Sequence, residues 1–197
     1  MDLLLQFQHI LESDPLIDEV GFVHPTQFAT LTEDSTGDAA ISDGTTFWSR
    51  DHKLGVSTQV VLPLYNAAKR AFIAAMEEYK RLSDGDDGLE SEVMRHSKAL
   101  LLLSSDFGTA WKSRSLIKIQ FTYLESVIYH AVVSKKQQPS MYMGELLLSA
   151  LVLSCSPKSD QAWSHRRWVI KSIAGKRSAL QEILGKESEL VEKIAEV

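Results

Sequence analysis

Two stretches of the chain carry side chains able to do chemistry, at a shared spacing. Asp106-Phe107-Gly108-Thr109-Ala110-Trp111-Lys112-Ser113-Arg114 and Lys158-Ser159-Asp160-Gln161-Ala162-Trp163-Ser164-His165-Arg166 both read A-W-x-x-R. Lys158 stands just ahead of a predicted helix. There a lysine's charge adds to exposed backbone N–H groups and the positive end of the helix dipole, a combination suited to an anion. The bland alternative is a solvated loop lysine. Asp160, two residues on, can cap the same helix but also brings negative charge to it. Asp106 occupies the corresponding place in the first stretch, so an anion is not expected there. Trp and Arg three apart share a helix face. The first reading of Trp111, Arg114, Trp163 and Arg166 is therefore structural: the Trp fills the gap between stacked hairpins and the Arg bonds carbonyls or a carboxylate of a neighbour. A catalytic role is the minor reading. Ser164 and His165 are adjacent on the helix and do not face each other, which argues against a nucleophile–base pair. His165 reads as a packing or interface residue, Arg167 and Trp168 as interface anchors, and Cys155 as a buried small apolar side chain.

The elements that must position these residues are helical. Helix-type spacing dominates, and five prolines and ten glycines punctuate the 197 residues lightly. Helices are expected over 2–12, ended by Asp14-Pro15, over 60–82 with Pro63 in the first turn, and over 89–104 and 107–133. Others are expected over 141–154, which is apolar nearly all round as in a helix buried between neighbours, over 160–174 ended by Gly175, and over 176–197. Residues 16–56 are less regular, with TEDSTGDAAISDG at 32–44 read as a loop. DGDDG at 84–88 is a linker. It loosely resembles the start of a calcium loop, but the twelfth position, which needs a carboxylate, is Arg95. SKKQQPS at 134–140 is a turn. The division expected is an N-terminal helix and irregular segment over 1–56 and helical repeats over 57–197, with successive helices paired as antiparallel hairpins.

Composition narrows the function. There are 21 Lys+Arg against 26 Asp+Glu, a formal charge of −5, which argues against a dedicated nucleic-acid binder. One cysteine rules out an intramolecular disulfide and a multi-cysteine zinc site. No His/Cys/Asp cluster has metal-ligand spacing, so no metal is expected on this chain. No apolar run is long enough to span a bilayer, and the first residues are not a secretory signal. A soluble, cytoplasmic protein is the expectation.

PKSDQAWSHRRWVI at 157–170 resembles the repeat of protein prenyltransferase alpha subunits: Pro-Lys, a short polar stretch, Trp, then His-Arg-Arg and an apolar helix. SDFGTAWKSRSLI at 105–117 is similar to the degenerate repeats of that family. The tryptophans are 52 positions apart, longer than the roughly 34 residues of a minimal helix–turn–helix repeat, with SKKQQPS and the long helix before it taking up the excess. IDEVGF at 17–22 and HKLGV at 52–56 precede the repeats in an order that looks like the repeat-containing branch of the family, distinct from the farnesyltransferase alpha subunit. The resemblance runs from about residue 10 to 175.

The resemblance implies an all-α solenoid of antiparallel hairpins, an α/α superhelix of tetratricopeptide type. It implies a heterodimer in which a separate beta subunit, an α/α barrel, carries the catalytic zinc and most of the isoprenoid pocket. The beta subunit implied is the Rab-type geranylgeranyltransferase one. The reaction is geranylgeranyl transfer from an isoprenoid diphosphate to a protein cysteine, on SNARE-type or similar protein substrates, and this chain is inactive alone. Lys158 then faces the donor diphosphate, whose growing charge needs stabilising. Related catalytic alpha subunits carry an aromatic hydroxyl where this chain has Asp160, a departure. The competing function is a helical-repeat interaction scaffold without catalysis. Lys186-Glu187-Ser188-Glu189-Leu190 looks like the opening of a further repeat, and Leu190, Val191 and Ile194 read as an unfinished apolar stripe, so truncation at the C-terminus is expected.

Overall fold

The computed structural model describes residues 2–28, 46–82, 87–117 and 138–173. It is mostly helical with one small sheet, and it divides into two compact units, Met1–Ser104 and Ser105–Val197.

The first unit opens with α1 (Leu3–Ser13). Asp2 caps it, its carboxylate accepting the Leu4 amide at 2.8 Å. Leu4, Phe7, Ile10 and Leu11 recur at helical steps and are buried. Strands β1 (Glu19–Val23), β2 (Phe47–Arg50) and β3 (Lys53–Ser57) form a three-stranded sheet in the order β1-β3-β2. β3 is parallel to β1 and antiparallel to β2. The all-α expectation therefore needs correcting: the irregular N-terminal segment holds a sheet. Its hairpin turns at Asp51-His52, with φ of 50° and 62°. Both central residues occupy the left-handed region, as in a two-residue primed turn, but without the Asn-Gly pair that normally announces one. Tertiary bonds hold this turn. The His52 ring lies 2.9 Å from Asp14 Oδ2, and the His52 carbonyl accepts the Asp18 amide at 3.0 Å. The His52 ring beside Asp14 holds that carboxyl below its ordinary range. Phe47 of β2 stacks on Phe7 of α1 at 5.7 Å, which places one sheet face in the core.

β3 runs directly into α2 (Thr58–Leu82), which packs on α3 (Asp87–Leu103). Tyr79, near the end of α2, donates to Glu90, near the start of α3, at 3.2 Å, so the two helices run in opposite directions. Pro63 is the sixth helical residue, not part of the first turn. The amide it lacks would have met the carbonyl of Gln59, an exposed residue where water can bond instead. α3 begins at Asp87, so Asp87 and Gly88 of the expected linker at 84–88 are helical, and Arg95 lies within α3, bonded to Glu92.

In the second unit the chain is helical over 108–117, here α4. α5 (Gln138–Cys155) and α6 (Asp160–Ile173) follow. α5 starts within the segment read as a turn, because Pro139 falls in its first turn, where a missing N–H costs nothing. Glu145 meets His165, and three residues earlier on α5 Tyr142 meets Trp168, three residues later on α6. The contacts advance in opposite senses, so this pair is also antiparallel. Tyr142, Leu146, Val169 and Ile173 form its apolar seam. The part beyond residue 117 of the helix expected over 107–133 and the helix expected over 176–197, with its proposed unfinished repeat, lie outside the described residues, as do Gly175 and the loop at 32–44.

Gly144 sits inside α5 with open space where a Cβ would go. Alanine there removes backbone entropy from the unfolded chain and meets no atom in the folded one. Gly144→Ala is expected to raise stability by about 0.5–1 kcal/mol, read as a higher urea midpoint at unchanged slope.

Candidate functional site

The repeated A-W-x-x-R segments adopt one local structure twice. Trp111 Nε1 donates to the carbonyl of Ser105 at 2.8 Å, and Trp163 Nε1 donates to the carbonyl of Pro157 at 2.9 Å. In each case the acceptor is six residues back, in the turn that leads into the helix. Each indole thus bonds its own approach loop and sets the angle at which the chain enters the helix. The alanine before each Trp is fully buried.

The two arginines are buried and both reach α5, by different chemistry. Arg114 makes a two-pronged bond to Glu145, Nε to Oε2 at 2.9 Å and Nη2 to Oε1 at 2.8 Å. Arg166 Nη1 donates to the Leu146 carbonyl at 2.6 Å and to Ser149 Oγ at 2.8 Å. One therefore uses a carboxylate and the other a carbonyl and a hydroxyl.

Glu145 is the centre of the arrangement, and the motif reading of the sequence did not single it out. Its signal is nonetheless present: in the apolar run from Met141 to Cys155 it is the one charged residue. A lone acid there must be paired, since an unpaired buried carboxylate is strongly disfavoured. Besides Arg114 it bonds His165, Nε2 to Oε2 at 3.0 Å. Burial alone pushes the Glu145 carboxyl up, but the Arg114 guanidinium and the His165 ring more than offset this and bring it down to about 2. The His165 ring is itself enclosed, with its centroid 4.7 Å from the Trp111 ring and 5.4 Å from the Trp168 ring, and its Nδ1 3.3 Å from Ser115 Oγ. His165 thus lies inside the unit, not on its surface. Arg167 is exposed and bonds Ser164 at 3.0 Å, and Trp168 is half-buried between His165 and Tyr142. Cys155 is half-buried at the end of α5, more open than expected, with Sγ 3.4 Å from the Leu151 carbonyl.

Lys158 is exposed in the turn between α5 and α6. Ser159 caps α6, its Oγ accepting the Ala162 amide at 3.3 Å. The same hydroxyl contacts Asp106 Oδ1 at 3.0 Å and the Ser105 carbonyl at 3.3 Å. The approach loops of the two repeats are therefore tied together beside Lys158, and the carboxylate of Asp106 lies at the cap of α6, with Asp160 exposed in its first turn. The structure brings Lys158 to a helix start, as the anion reading requires, and surrounds that start with two acids. Ser164 is exposed and His165 buried, so they form no pair. Among the described residues no group of three or more His, Cys, Asp or Glu is placed to hold a metal ion, and no helix is long and apolar enough to cross a membrane.

Chemically, the buried cluster is a clamp. It holds three helices through one carboxylate. Removing the carboxylate takes the two-pronged acceptor away from the buried Arg114, and breaking a buried pair in this way costs about 3–5 kcal/mol. Glu145→Leu is expected to lose that much in urea unfolding. The pH dependence has a definite sign: the Glu145 carboxyl is lower in the folded protein than its ordinary value of 4.5. Its stabilisation is full above about pH 4.5 and declines as the pH falls toward about 2. Wild type should show this acid loss, and Glu145→Leu should lack it.

No protein-family model matches the chain. Over 77 residues, 39% of its length, the sequence is 32% identical to "Protein prenyltransferase alpha subunit repeat-containing protein 1" of Danio rerio. The aligned segment spans 14% of that protein. The chain is thus similar, over part of its length, to a member of the prenyltransferase alpha-repeat family.

Proposed function

We propose that the chain serves as an alpha-type subunit of a heterodimeric protein prenyltransferase, supporting a zinc-bearing beta subunit in geranylgeranyl transfer to protein cysteine. The observation that carries this reading is the twofold A-W-x-x-R structure, each Trp tied to its own approach loop and each Arg buried against α5. The partial similarity to a prenyltransferase alpha-repeat protein supports it. Helix pairs of this kind stack through repeated faces into extended superhelices that wrap a partner, and in this reading the two described hairpins belong to such a solenoid. The chain contributes surface and shape, the beta subunit contributes the zinc and the isoprenoid pocket, and the donor is an isoprenoid diphosphate. Arg167, exposed on α6, and Trp168, half-buried between His165 and Tyr142, are the interface residues in this reading. The beta subunit is of the Rab geranylgeranyltransferase type, the substrate is a protein, and the assembly works in the cytoplasm.

A second reading is favoured by a specific observation. Asp106 and Asp160 flank the start of α6 beside Lys158, and negative charge there opposes a diphosphate. On this reading the chain is a helical-repeat interaction scaffold without a part in transfer. The two readings separate in one experiment, co-expression of the chain with a Rab-type beta subunit followed by size-exclusion chromatography with light scattering and a transfer assay. The alpha-subunit reading expects a one-to-one complex that transfers geranylgeranyl to protein, with Lys158→Ala lowering transfer by about tenfold or more, the scale of one lost charge contact in a transition state, while the complex persists. Complex formation with transfer indifferent to Lys158→Ala assigns the electrostatic work to the beta subunit. Absence of any complex overturns the alpha-subunit reading in favour of the scaffold.

A further inference from the structure

The first unit contains a polar arrangement that the proposed function does not use. Gln8 of α1 is buried, 2% exposed, and its Oε1 meets no donor. Its Nε2 lies 2.9 Å from Nδ1 of His96 on α3. The other ring nitrogen, Nε2, lies 2.9 Å from Glu92 Oε2. A carboxylate only accepts, so the proton of the neutral ring belongs on Nε2. Nδ1 is then an acceptor and takes an amide hydrogen from Gln8. This assignment leaves Gln8 Oε1 as the orphan.

A second proton on the ring reverses the demand at Nδ1. An N–H would then face the Gln8 amide hydrogens, donor against donor. Turning the carboxamide over places Oε1 on Nδ1–H, so the atom that had no partner becomes the partner of the new donor. The displaced NH2 then faces the place the oxygen held. Each protonation state therefore leaves one Gln8 group unsatisfied, so neither orientation is locked. We propose that Gln8 and His96 form a proton-responsive latch between α1 and α3, in which the Gln8 carboxamide turns over when His96 takes its second proton.

The charges around the ring are on α3: Glu92 contacts it, Arg95 bonds both oxygens of Glu92, and Lys98 reaches across to the Leu11 carbonyl of α1 at 3.4 Å. From α1 the facing group is the neutral Gln8. From α2 the titratable group against α3 is Tyr79, bonded to Glu90 six residues before His96. Burial holds the His96 ring below its ordinary value of 6.5, opposed by Glu92 and aided by Arg95. As the pH falls the unfolded chain takes the proton first, so the hold of α1 on α3 is full above about pH 6.5 and weakens below it.

The test is nitrogen–proton correlation spectroscopy on the full chain across a pH series, following the Gln8 side-chain NH2 pair and the His96 ring protons. The expected result is a shift of the Gln8 pair with the same midpoint as the ring. Gln8→Glu, which offers the charged ring a carboxylate, should raise that midpoint by about one unit or more. If Gln8→Glu does not fold, Gln8→Met serves instead, and the pH response of α1 amide exchange should disappear. A Gln8 pair indifferent to the ring's titration, a midpoint unmoved by Gln8→Glu, or an α1 response that survives Gln8→Met overturns the proposal.

Discussion

The second unit depends on one carboxylate. Glu145 is the charged residue of an apolar helix, and its two oxygens bond an arginine from α4 and a histidine from α6. Burial costs a charge several kcal/mol, and only close, well-aligned partners offset it. The partners must therefore stand at fixed distances, and three helices are held in register as a consequence. Apolar packing alone does not impose this, because Leu, Val and Ile contacts tolerate small slides and rotations. Buried networks in general add little net stability over an apolar core of the same shape. The contribution of this one is to make misplaced arrangements expensive.

The two tryptophans make a similar contribution locally. An indole N–H buried without a partner is costly, and each is satisfied by the carbonyl six residues back. That bond closes the approach loop onto the helix it precedes. The two loops then meet at Ser159, which caps α6 and contacts Asp106 of the other loop. A repeated local motif is in this way converted into a repeated tertiary joint. The same joint explains why the neighbourhood of Lys158 is acidic: Asp106 ties the loops together, and its charge comes with it.

In the first unit the constraint is different. The sheet is small, and its hairpin turns through two non-glycine residues with positive φ. Such a turn is unfavourable by itself. The Asp14–His52 contact and the Asp18–His52 backbone bond supply what the local sequence lacks. This is why the strands were hard to see in the sequence. Glu19–Val23 and Phe47–Ser57 are short and contain Gly21 and Gly55, and the β2–β3 turn at Asp51-His52 has no Asn-Gly type signature. Val, Phe and Trp favour extended backbone here, and burial of Val20, Phe47, Leu54 and Val56 adds to that preference.

What the sequence determined by itself was local and periodic. Apolar residues at three- and four-residue steps placed α1, α2, α3, α5 and α6 within a few residues of where they stand, because a helix hides one face and that face must be apolar. The repeated A-W-x-x-R spacing was equally legible, since Trp and Arg three apart share a helix face whatever lies beyond. The tertiary structure decided the rest. It chose which acceptor each arginine finds, a carboxylate for Arg114 and a carbonyl with a hydroxyl for Arg166. It put His165 inside, between two indoles, and it paired Glu145, whose isolation in an apolar run signalled a partner without naming one. It also gave three short strands their partners and register. The physical reason is common to all of these. Periodicity depends on residues a turn apart, whereas the partner of a buried charge or a strand edge is supplied by a distant segment once the helices have packed.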